Sequence, residues 1–387
     1  MSTISVLYIA NDSSLYGANK SLVNMLQSFN QEGIKSQIKY HVIIPLNGPI
    51  QETFEELNIP YSIVRYRFDS ALIDGTFYTY ISFIPKLIQK YWLEHKALPV
   101  LRKIVDEKKI QIVHTNSSVI SIGLKLSKIC RTKHIWHLRE FQDTGLNLQP
   151  YWGWSHLIRQ INESDAVISI TKPIETHYKV KANSIVLFDA VSNTAEIVPA
   201  SAKEKYFIFC GSISHNKGVH VAVRSFYHFW LSHPDYQLLI AGTESTDRPY
   251  VASIHQMVEK YKLKDHVQFL GYRKDINNLM NKAQALLMCS RNEGMGRVTP
   301  EAMLNNCLVI GFNDAGTKEL IVNGETGFLF NTEEELVQLM NDVADSKTNS
   351  GQITKNAFGF AKKHFLEETY GFKLLDIYAS ILKRKTT

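Results

Sequence analysis

The sequence predicts an α/β protein built as two doubly wound parallel-sheet units in tandem. Three observations carry that prediction. Short, wholly apolar segments alternate with amphipathic helical ones, which is the pattern of parallel strands covered on both faces. The alternation lapses over residues 192–205 and restarts at Tyr206. The length, 387 residues, suits two domains of about 100–200 residues each. The units are therefore expected at 1–193 and 194–370.

The elements follow in order. Ser5–Ala10 is a short apolar strand, Asn11–Gly17 a turn-rich loop, and Leu22, Val23, Met25, Leu26 and Phe29 recur at helical spacing. Tyr40–Ile44 is the next strand, ended by Pro45. Ile110–His114, a helix over Ser121–Cys130, His134–His137 and Ala166–Ile170 continue the alternation. After the break come Tyr206–Cys210, a helix over Val219–Leu231, Tyr236–Ile240 and a helix over Val251–Tyr261. Val267–Leu270, a helix over Ile276–Lys282, Ala285–Cys289 and Leu308–Phe312 complete the set. Each sheet should bind ligand beyond the carboxyl ends of its strands, and a cleft between two facing sheets is the natural place for a site.

Composition excludes several classes. At 44% hydrophobic and 21% charged residues the chain is globular. No apolar run approaches the roughly 18 residues of a membrane span. The opening Met-Ser-Thr has no basic segment, so no signal peptide is expected. Four scattered cysteines, Cys130, Cys210, Cys289 and Cys307, suggest small buried residues in a reducing cytoplasm. A net charge of +6 is too weak to mark a nucleic-acid face. The P-loop, the dinucleotide Gly-x-Gly-x-x-Gly, His-Glu-x-x-His, the nucleophile elbow and Asp-x-Asp are all missing. Such a protein must hold an anionic substrate with backbone amides, helix N-termini and a few cations.

The densest chemistry lies in Glu293-Gly-Met-Gly-Arg-Val-Thr-Pro-Glu301. It follows the strand Ala285–Cys289 and opens a helix, with Thr299 expected as N-cap and Pro300 at the first helical position. Gly294 and Gly296 allow a ligand close to the backbone. Two glutamates eight positions apart can reach one cleft from different depths.

These residues resemble the Glu-x7-Glu signature of the retaining GT4-family glycosyltransferases, whose two-domain architecture is the GT-B fold. The resemblance extends to Cys210-Gly-Ser-Ile-Ser-His-Asn-Lys-Gly218, Leu239–Gly242, Phe269–Ile276, Ala315–Ile321 and Asn323–Phe328. In the first half it takes in Tyr16-Gly17-Ala18 and His137-Leu-Arg-Glu140. It implies an acceptor-binding first unit, a nucleotide-sugar-binding second unit, and a last helix, residues 371–387, that crosses back to the first. It implies that Glu301 binds the ribose hydroxyls of the donor and Glu293 the donor sugar. The amides of Gly294, Met295, Gly296, Arg297 and Val298 would hold sugar and diphosphate. Lys217, beside Gly211 and Ser212, would stabilise the leaving diphosphate, and Tyr272 would lie at the base. Gly17 would let the first half approach the phosphates, and His137 would assist catalysis beside the reacting sugar. His114, Arg139 and Glu140 are candidates for acceptor or phosphate contacts, unless Arg139 and Glu140 pair with each other.

The expected reaction transfers a hexose from a UDP- or GDP-linked sugar to a hydroxyl of a glycan or lipid-linked acceptor, with retention and with no metal or other cofactor. Three departures stand out. Ser212 occupies a position that is often arginine, so one phosphate cation is missing, with Arg297 or Arg139 as replacements. Ala315-Gly316 stands where Gly-Gly is common, a change expected to matter little. Arg297 is usually apolar. The alternatives are a non-catalytic nucleotide-sugar-binding subunit and a nucleotide-sugar 2-epimerase.

Residues 61–110 hold nine basic and five acidic residues and nine aromatics. A short amphipathic helix after Pro85, with Lys86 and Lys90 on one face, is expected to touch an anionic membrane surface, with Lys383-Arg-Lys385 adding attraction. That implies a cytoplasmic protein peripheral on the inner membrane face, with no nucleic-acid partner.

Overall fold

The computed structural model describes residues 3–15, 17–72, 77–181 and 183–383. The chain forms two compact units. Unit 1 runs to Ala190 and takes the chain in again from Glu367, and unit 2 is Val191–Leu366.

Unit 1 contains β1 (Ile4–Ile9), α1 (Ala18–Gln27), β2 (Ile38–Ile44), α2 (Ile50–Glu56), β3 (Tyr61–Ile63), β4 (Ser70–Leu72) and α3 (Phe77–Glu107). It continues with β5 (Ile112–Thr115), α4 (Ile122–Cys130), β6 (Lys133–Leu138), β7 (Leu148–Pro150), α5 (Trp154–Asn162), β8 (Ala166–Ser169), α6 (Lys172–His177) and β9 (Ser184–Val186). Seven strands form one parallel sheet in the order β3-β2-β1-β5-β6-β8-β9, and β4 pairs with β7 in a small antiparallel ribbon. Successive residues of a strand point to opposite faces. Val6 and Tyr8 therefore join a core with Leu22, Met25, Leu26 and Phe29 of α1, while Leu7 and Ile9 join another with Ala97, Leu101 and Val105 of α3. Both faces are covered, which is why these strands read as continuous apolar runs.

Unit 2 contains β10 (Tyr206–Cys210), α7 (Val219–Trp230), β11 (Gln237–Ala241), α8 (Arg248–Lys260), β12 (Val267–Gly271), α9 (Ile276–Lys282) and β13 (Ala285–Met288). Then come α10 (Val298–Leu304), β14 (Leu308–Phe312), α11 (Ala315–Leu320), β15 (Phe328–Phe330), α12 (Glu333–Ala344) and α13 (Ser350–His364). Its six strands are parallel in the order β12-β11-β10-β13-β14-β15. Strand order reverses between β1 and β5 in unit 1 and between β10 and β13 in unit 2. Open α/β sheets bind ligands outside the carboxyl ends of strands at such switch points.

The last helix, α14 (Glu367–Lys383), packs within unit 1. Tyr370, Leu374, Tyr378 and Ile381 repeat every three or four residues and are buried in the core shared with α1 and β1. Full burial of an aliphatic side chain such as Leu374 contributes about 1.5–3 kcal/mol. The return begins at Glu367 because Glu367 is itself buried, accepting from Asn24 Nδ2 at 3.0 Å, while its carbonyl accepts from Gln31 Nε2 at 2.8 Å.

The stretch where the periodicity lapses is held in place, and two expectations need correction. Residues 192–205 are anchored: buried Asn281 of α9 accepts from the Ser201 amide at 2.9 Å and donates to the Val198 and Pro199 carbonyls. The helix around Pro85 spans 31 residues with Pro85 and Pro99 inside it. And α10 starts at Val298 after Arg297, with Thr299 buried in its first turn, so Thr299 is not the cap.

Candidate active site

In unit 2 the loops that leave β10 and β13 stand on either side of the switch point. The β10 loop turns through Ser214–Lys217 into α7 and is closed by Gly218 at φ +73°. A Cβ at Gly218 would lie 2.3 Å from the Cys289 carbonyl oxygen, so the two loops approach at a point only glycine allows. The β13 loop is tied down along its length. The Arg291 amide donates to the Asn216 carbonyl at 3.1 Å, the Asn292 amide to Asp314 Oδ2 at 2.8 Å, and the Gly316 amide to the Glu293 carbonyl at 2.9 Å. A Cβ at Gly316 would lie 2.4 Å from the Gly294 carbonyl oxygen, which fixes glycine there too.

This scaffold brings Lys217 and Glu293 into an ion pair, half-buried on both sides. Glu301 lies in the first turn of α10 and pairs with Arg297 at 3.6 Å. Arg297 also donates to the Val191 carbonyl at 3.5 Å. The arginine suggested as a replacement at Ser212 therefore serves Glu301, and Ser212 itself bonds Ser214 Oγ at 3.0 Å. Met295 is buried, so only its backbone can face a ligand, and the same holds for Gly296. Gly294 and Val298 are partly exposed, as is Ser212, whereas Gly211 leads directly out of β10. Tyr272, just past β12, leaves 72% of its surface open. A lysine, two carboxylates, exposed loop backbone and an open aromatic ring can hold a phosphate, a set of hydroxyls and a planar base.

Asp314 and Thr317 escaped the sequence reading. Asp314 holds the loop at Asn292, and Thr317 buries its hydroxyl beside Gly296 with no hydrogen-bond partner. Their signal was an acid and a hydroxyl flanking Ala315-Gly316 at the end of a strand.

In unit 1 the predicted residues gather on the sheet face beneath α1 and α14. His114 Nδ1 bonds Tyr378 Oη at 2.8 Å, and Tyr378 Oη bonds Tyr8 Oη at 2.6 Å. His114 Nε2 meets His137 Nδ1 at 3.1 Å, and Arg139 Nη2 meets the same nitrogen at 3.2 Å. Arginine can only donate, so His137 Nδ1 accepts and its proton sits on Nε2. His114 then donates through Nε2 and accepts the Tyr378 hydroxyl. Burial, reinforced by Arg139, pushes both imidazoles well below the ordinary histidine range and keeps them neutral. His137 is fully buried, with Nε2 lacking a hydrogen bond and 3.7 Å from Asp189. The histidine expected beside a sugar is thus part of an internal network.

Arg139 and Glu140 do not pair with each other. Arg139 is buried in an ion pair with Asp189 and donates through Nε to Asn116 Oδ1 at 3.0 Å. Glu140 Oε1 accepts from Ser117 Oγ, the Ser118 amide and Ser118 Oγ at 2.6–2.7 Å, and burial raises its carboxyl. Asp189 was missed; its trace is a lone acid in the apolar run Val186-Leu-Phe-Asp-Ala-Val191. Gly17 directly precedes α1, whereas Tyr16 lies outside the described residues.

In the 61–110 stretch the expected pair Lys86 and Lys90 separates. Lys90 is buried at 2% exposure, paired with Asp69 and with Glu94 at 3.0 Å, so it cannot meet a membrane. Burial opposes its charge, but the two carboxylates hold the ammonium above the ordinary lysine range. Of the basic tail, Arg384 and Lys385 lie outside the described residues. Among those described, no helix is long and apolar enough to cross a membrane.

Comparison with known proteins follows from this geometry. Residues 192–360 match the family described as Glycosyl transferases group 1. The N-acetyl-alpha-D-glucosaminyl L-malate synthase of Bacillus anthracis is 27% identical over 227 residues, covering 57% of this chain and 56% of that protein. The phosphatidylinositol N-acetylglucosaminyltransferase GPI3 subunit of Saccharomyces cerevisiae is 22% identical over 312 residues, covering 74% and 66%. The chain thus matches between about half and two thirds of the length of these curated relatives. The crystal structure of Anabaena Alr3699/HepE in complex with UDP has a TM-score of 0.78 at 20% identity, covering 97% of this chain and 100% of that one. The last likeness is one of fold: this chain has the GT-B architecture of two doubly wound units.

Proposed function

We infer that this chain, whose residues 192–360 match the group 1 glycosyl transferases, is a member of that family and moves a hexose from a nucleotide diphosphate sugar to a hydroxyl of a glycan or lipid-linked acceptor. The observation that carries the reading is the ion pair of Lys217 and Glu293, delivered by loops on the two sides of the unit 2 switch point, with Glu301 in the next helical turn. The UDP complex of the Anabaena protein favours a UDP-linked donor over a GDP-linked one.

In this mechanism Glu301 accepts hydrogen bonds from the ribose diol and Glu293 from hydroxyls of the donor sugar. Lys217 lies where negative charge gathers as the bond between the anomeric carbon and the diphosphate oxygen breaks. The acceptor oxygen bonds the anomeric carbon on the face the diphosphate leaves, as in retaining GT4 members, and its proton passes to the leaving phosphate oxygen. Catalysis is then positioning and charge stabilisation. Metal independence belongs to the same proposal and is supported by a lysine at the place where diphosphate charge would collect. The acceptor falls to unit 1, and peripheral contact with a lipid surface through residues 61–110 completes the reading. A non-catalytic nucleotide-sugar-binding subunit is the second reading; Ser212 without a neighbouring arginine is the observation that favours it.

Two substitutions test the assignment. Glu301→Ala should weaken UDP binding by about tenfold to a hundredfold, the worth of hydrogen bonds to a charged group. Glu293→Ala should abolish most transfer while UDP affinity stays near the parent value. Calorimetry with UDP, beside transfer to membrane extracts, reads both, and full activity in both variants would refute the site.

A further inference from the structure

The helix α3 turns its charges inward. Ile81, Ile84 and Ile88 are exposed on one side, while on the other Lys90 and Glu94 are buried. An ordinary surface helix has the reverse arrangement. The inward charges form a chain that runs from Asp69 to Lys90, from Lys90 to Glu94 at 3.0 Å, and from Glu94 to Lys125 of α4 at 2.6 Å. Two cations and two carboxylates cancel. Buried ion pairs add little stability, because desolvation offsets their attraction. They do fix polar groups in place, and three of these four side chains stand at the wall of a cavity.

That cavity, of about 390 Å³, opens between α3, α4 and α5, with Pro150 of β7 at one wall. The volume is that of a small-ligand site. Two aromatic side chains line it, Tyr91 and Trp152, and they leave 41% and 58% of their surfaces open. Trp152 Nε1 donates to Tyr91 Oη at 2.6 Å, which locks the two side chains together. Beside them stand Asp69, Lys90, Lys125, His156 and Gln160. His156 Nδ1 meets Arg159 Nη2 at 2.9 Å and must accept there, so its proton sits on Nε2. No wall belongs to unit 2 or to the loops leaving β1 and β2, and none of the residues proposed to hold the donor lines the cavity.

The charges decide which ligand fits. An anion would find both ammoniums paired with carboxylates, and a cation would find Asp69 shared between Lys90 and the Ser121 amide. A wholly apolar ligand would strand the polar groups. A neutral ligand with one C–H face and a rim of hydroxyls satisfies both halves of the lining. The C–H bonds of a pyranose ring carry slight positive charge and suit the electron-rich face of Trp152. Its hydroxyls accept from lysine and imidazole N–H groups and donate to the Asp69 carboxylate and the Gln160 amide oxygen. We propose that this cavity is a saccharide-binding site for one uncharged pyranose ring, separate from the donor site and not the place of reaction. The proposal stands without the transferase reading. A free sugar and a residue within a longer glycan share this chemistry.

The full chain is titrated with glucose, galactose, mannose and N-acetylglucosamine, with their methyl glycosides, and with glucuronate and inorganic phosphate, binding being read by saturation-transfer NMR. At least one neutral sugar should bind with a Kd of about 1 mM, the scale of a small ligand held by a few contacts. Trp152→Ala should weaken it by about tenfold or more, Trp152→Phe should keep most of the affinity, and Gln160→Ala should cost about fivefold. Trp152 is exposed and Gln160 half-buried, so the fold should tolerate these changes, and an unchanged urea midpoint checks that it does. A methyl glycoside that binds as well as its parent sugar supports the proposal with a glycan residue as ligand, and one that binds less well supports it with a free sugar. Failure of every neutral sugar to bind, equal or tighter binding of glucuronate or phosphate, full binding in Trp152→Ala, or displacement of the sugar by UDP would each overturn the proposal. Failure of the parent to bind UDP would count against the transferase reading alone.

Discussion

Ala315 holds φ at +43°, a left-handed conformation that an L-residue with a side chain enters only at a cost. The turn before α11 needs it, because Gly316 must approach the Glu293 and Gly294 carbonyls. The exchange of glycine for alanine here, harmless by size, is therefore costly by backbone. Ala315→Gly should raise the unfolding free energy by about 1 kcal/mol, and a midpoint in urea no higher than the parent's would contradict this. At this scale Glu293, Glu301 and Lys217, which the structure places on the two loops and the helix at one switch point, could be singled out because acids and a lysine stood beside glycines at strand ends. Arg139 was singled out by the sequence, but its partner was not. Its counter-ion, Asp189, is 50 positions away in sequence, and only the sheet brings the two together. Arg297 was unreadable for a similar reason, since a guanidinium four residues before a carboxylate on a helix serves either a ligand or its neighbour.

Among the elements, β5 and β6 bury three histidines. His114 and His137 are held well below the ordinary range, and His134, between Thr115 Oγ1 and Ser164 Oγ, is pushed down to about 3, in each case mainly by burial. In the unfolded chain they protonate near pH 6.5. Their folded pKa values are depressed, so the stability they confer is complete above that pH and falls as pH drops below it. Each should remove about 1.4 kcal/mol per pH unit. Trp136, which packs edge-on against His134, reports the effect: its fluorescence midpoint in urea should fall clearly between pH 7.5 and pH 5.5, and a pH-independent midpoint would contradict the network.

The strands of both sheets could be read because burial on two faces makes them apolar throughout. Of α3 only a short piece after Pro85 could be read, for two physical reasons. Proline inside a helix removes a hydrogen bond and argues against continuation. Its outward apolar face also inverts the pattern from which burial is inferred. The short β3, β4, β7 and β9 carry three residues each, too few for any periodicity.

For the whole molecule, two sheets of like winding imply two switch points, and the residues proposed to hold the donor, Lys217, Glu293 and Glu301, collect at the one in unit 2. The sequence carried this organisation in a single lapse of periodicity before Tyr206. What it could not carry was that residues 192–205 are fastened to α9, since that depends on the amide of one buried asparagine, Asn281. Nor could composition show that α14 belongs to unit 1, which follows from where Tyr370, Leu374 and Tyr378 are buried.

The central claim, that unit 2 holds a nucleotide diphosphate sugar through Lys217, Glu293 and Glu301 without a metal, is tested most directly by calorimetric titration. The full chain is titrated with UDP, GDP and their sugar conjugates, with and without EDTA. Selective binding of one sugar nucleotide, unchanged by EDTA, is the predicted result. Binding that vanishes with EDTA would contradict the lysine-based account, and failure of every diphosphate to bind would contradict the donor site itself.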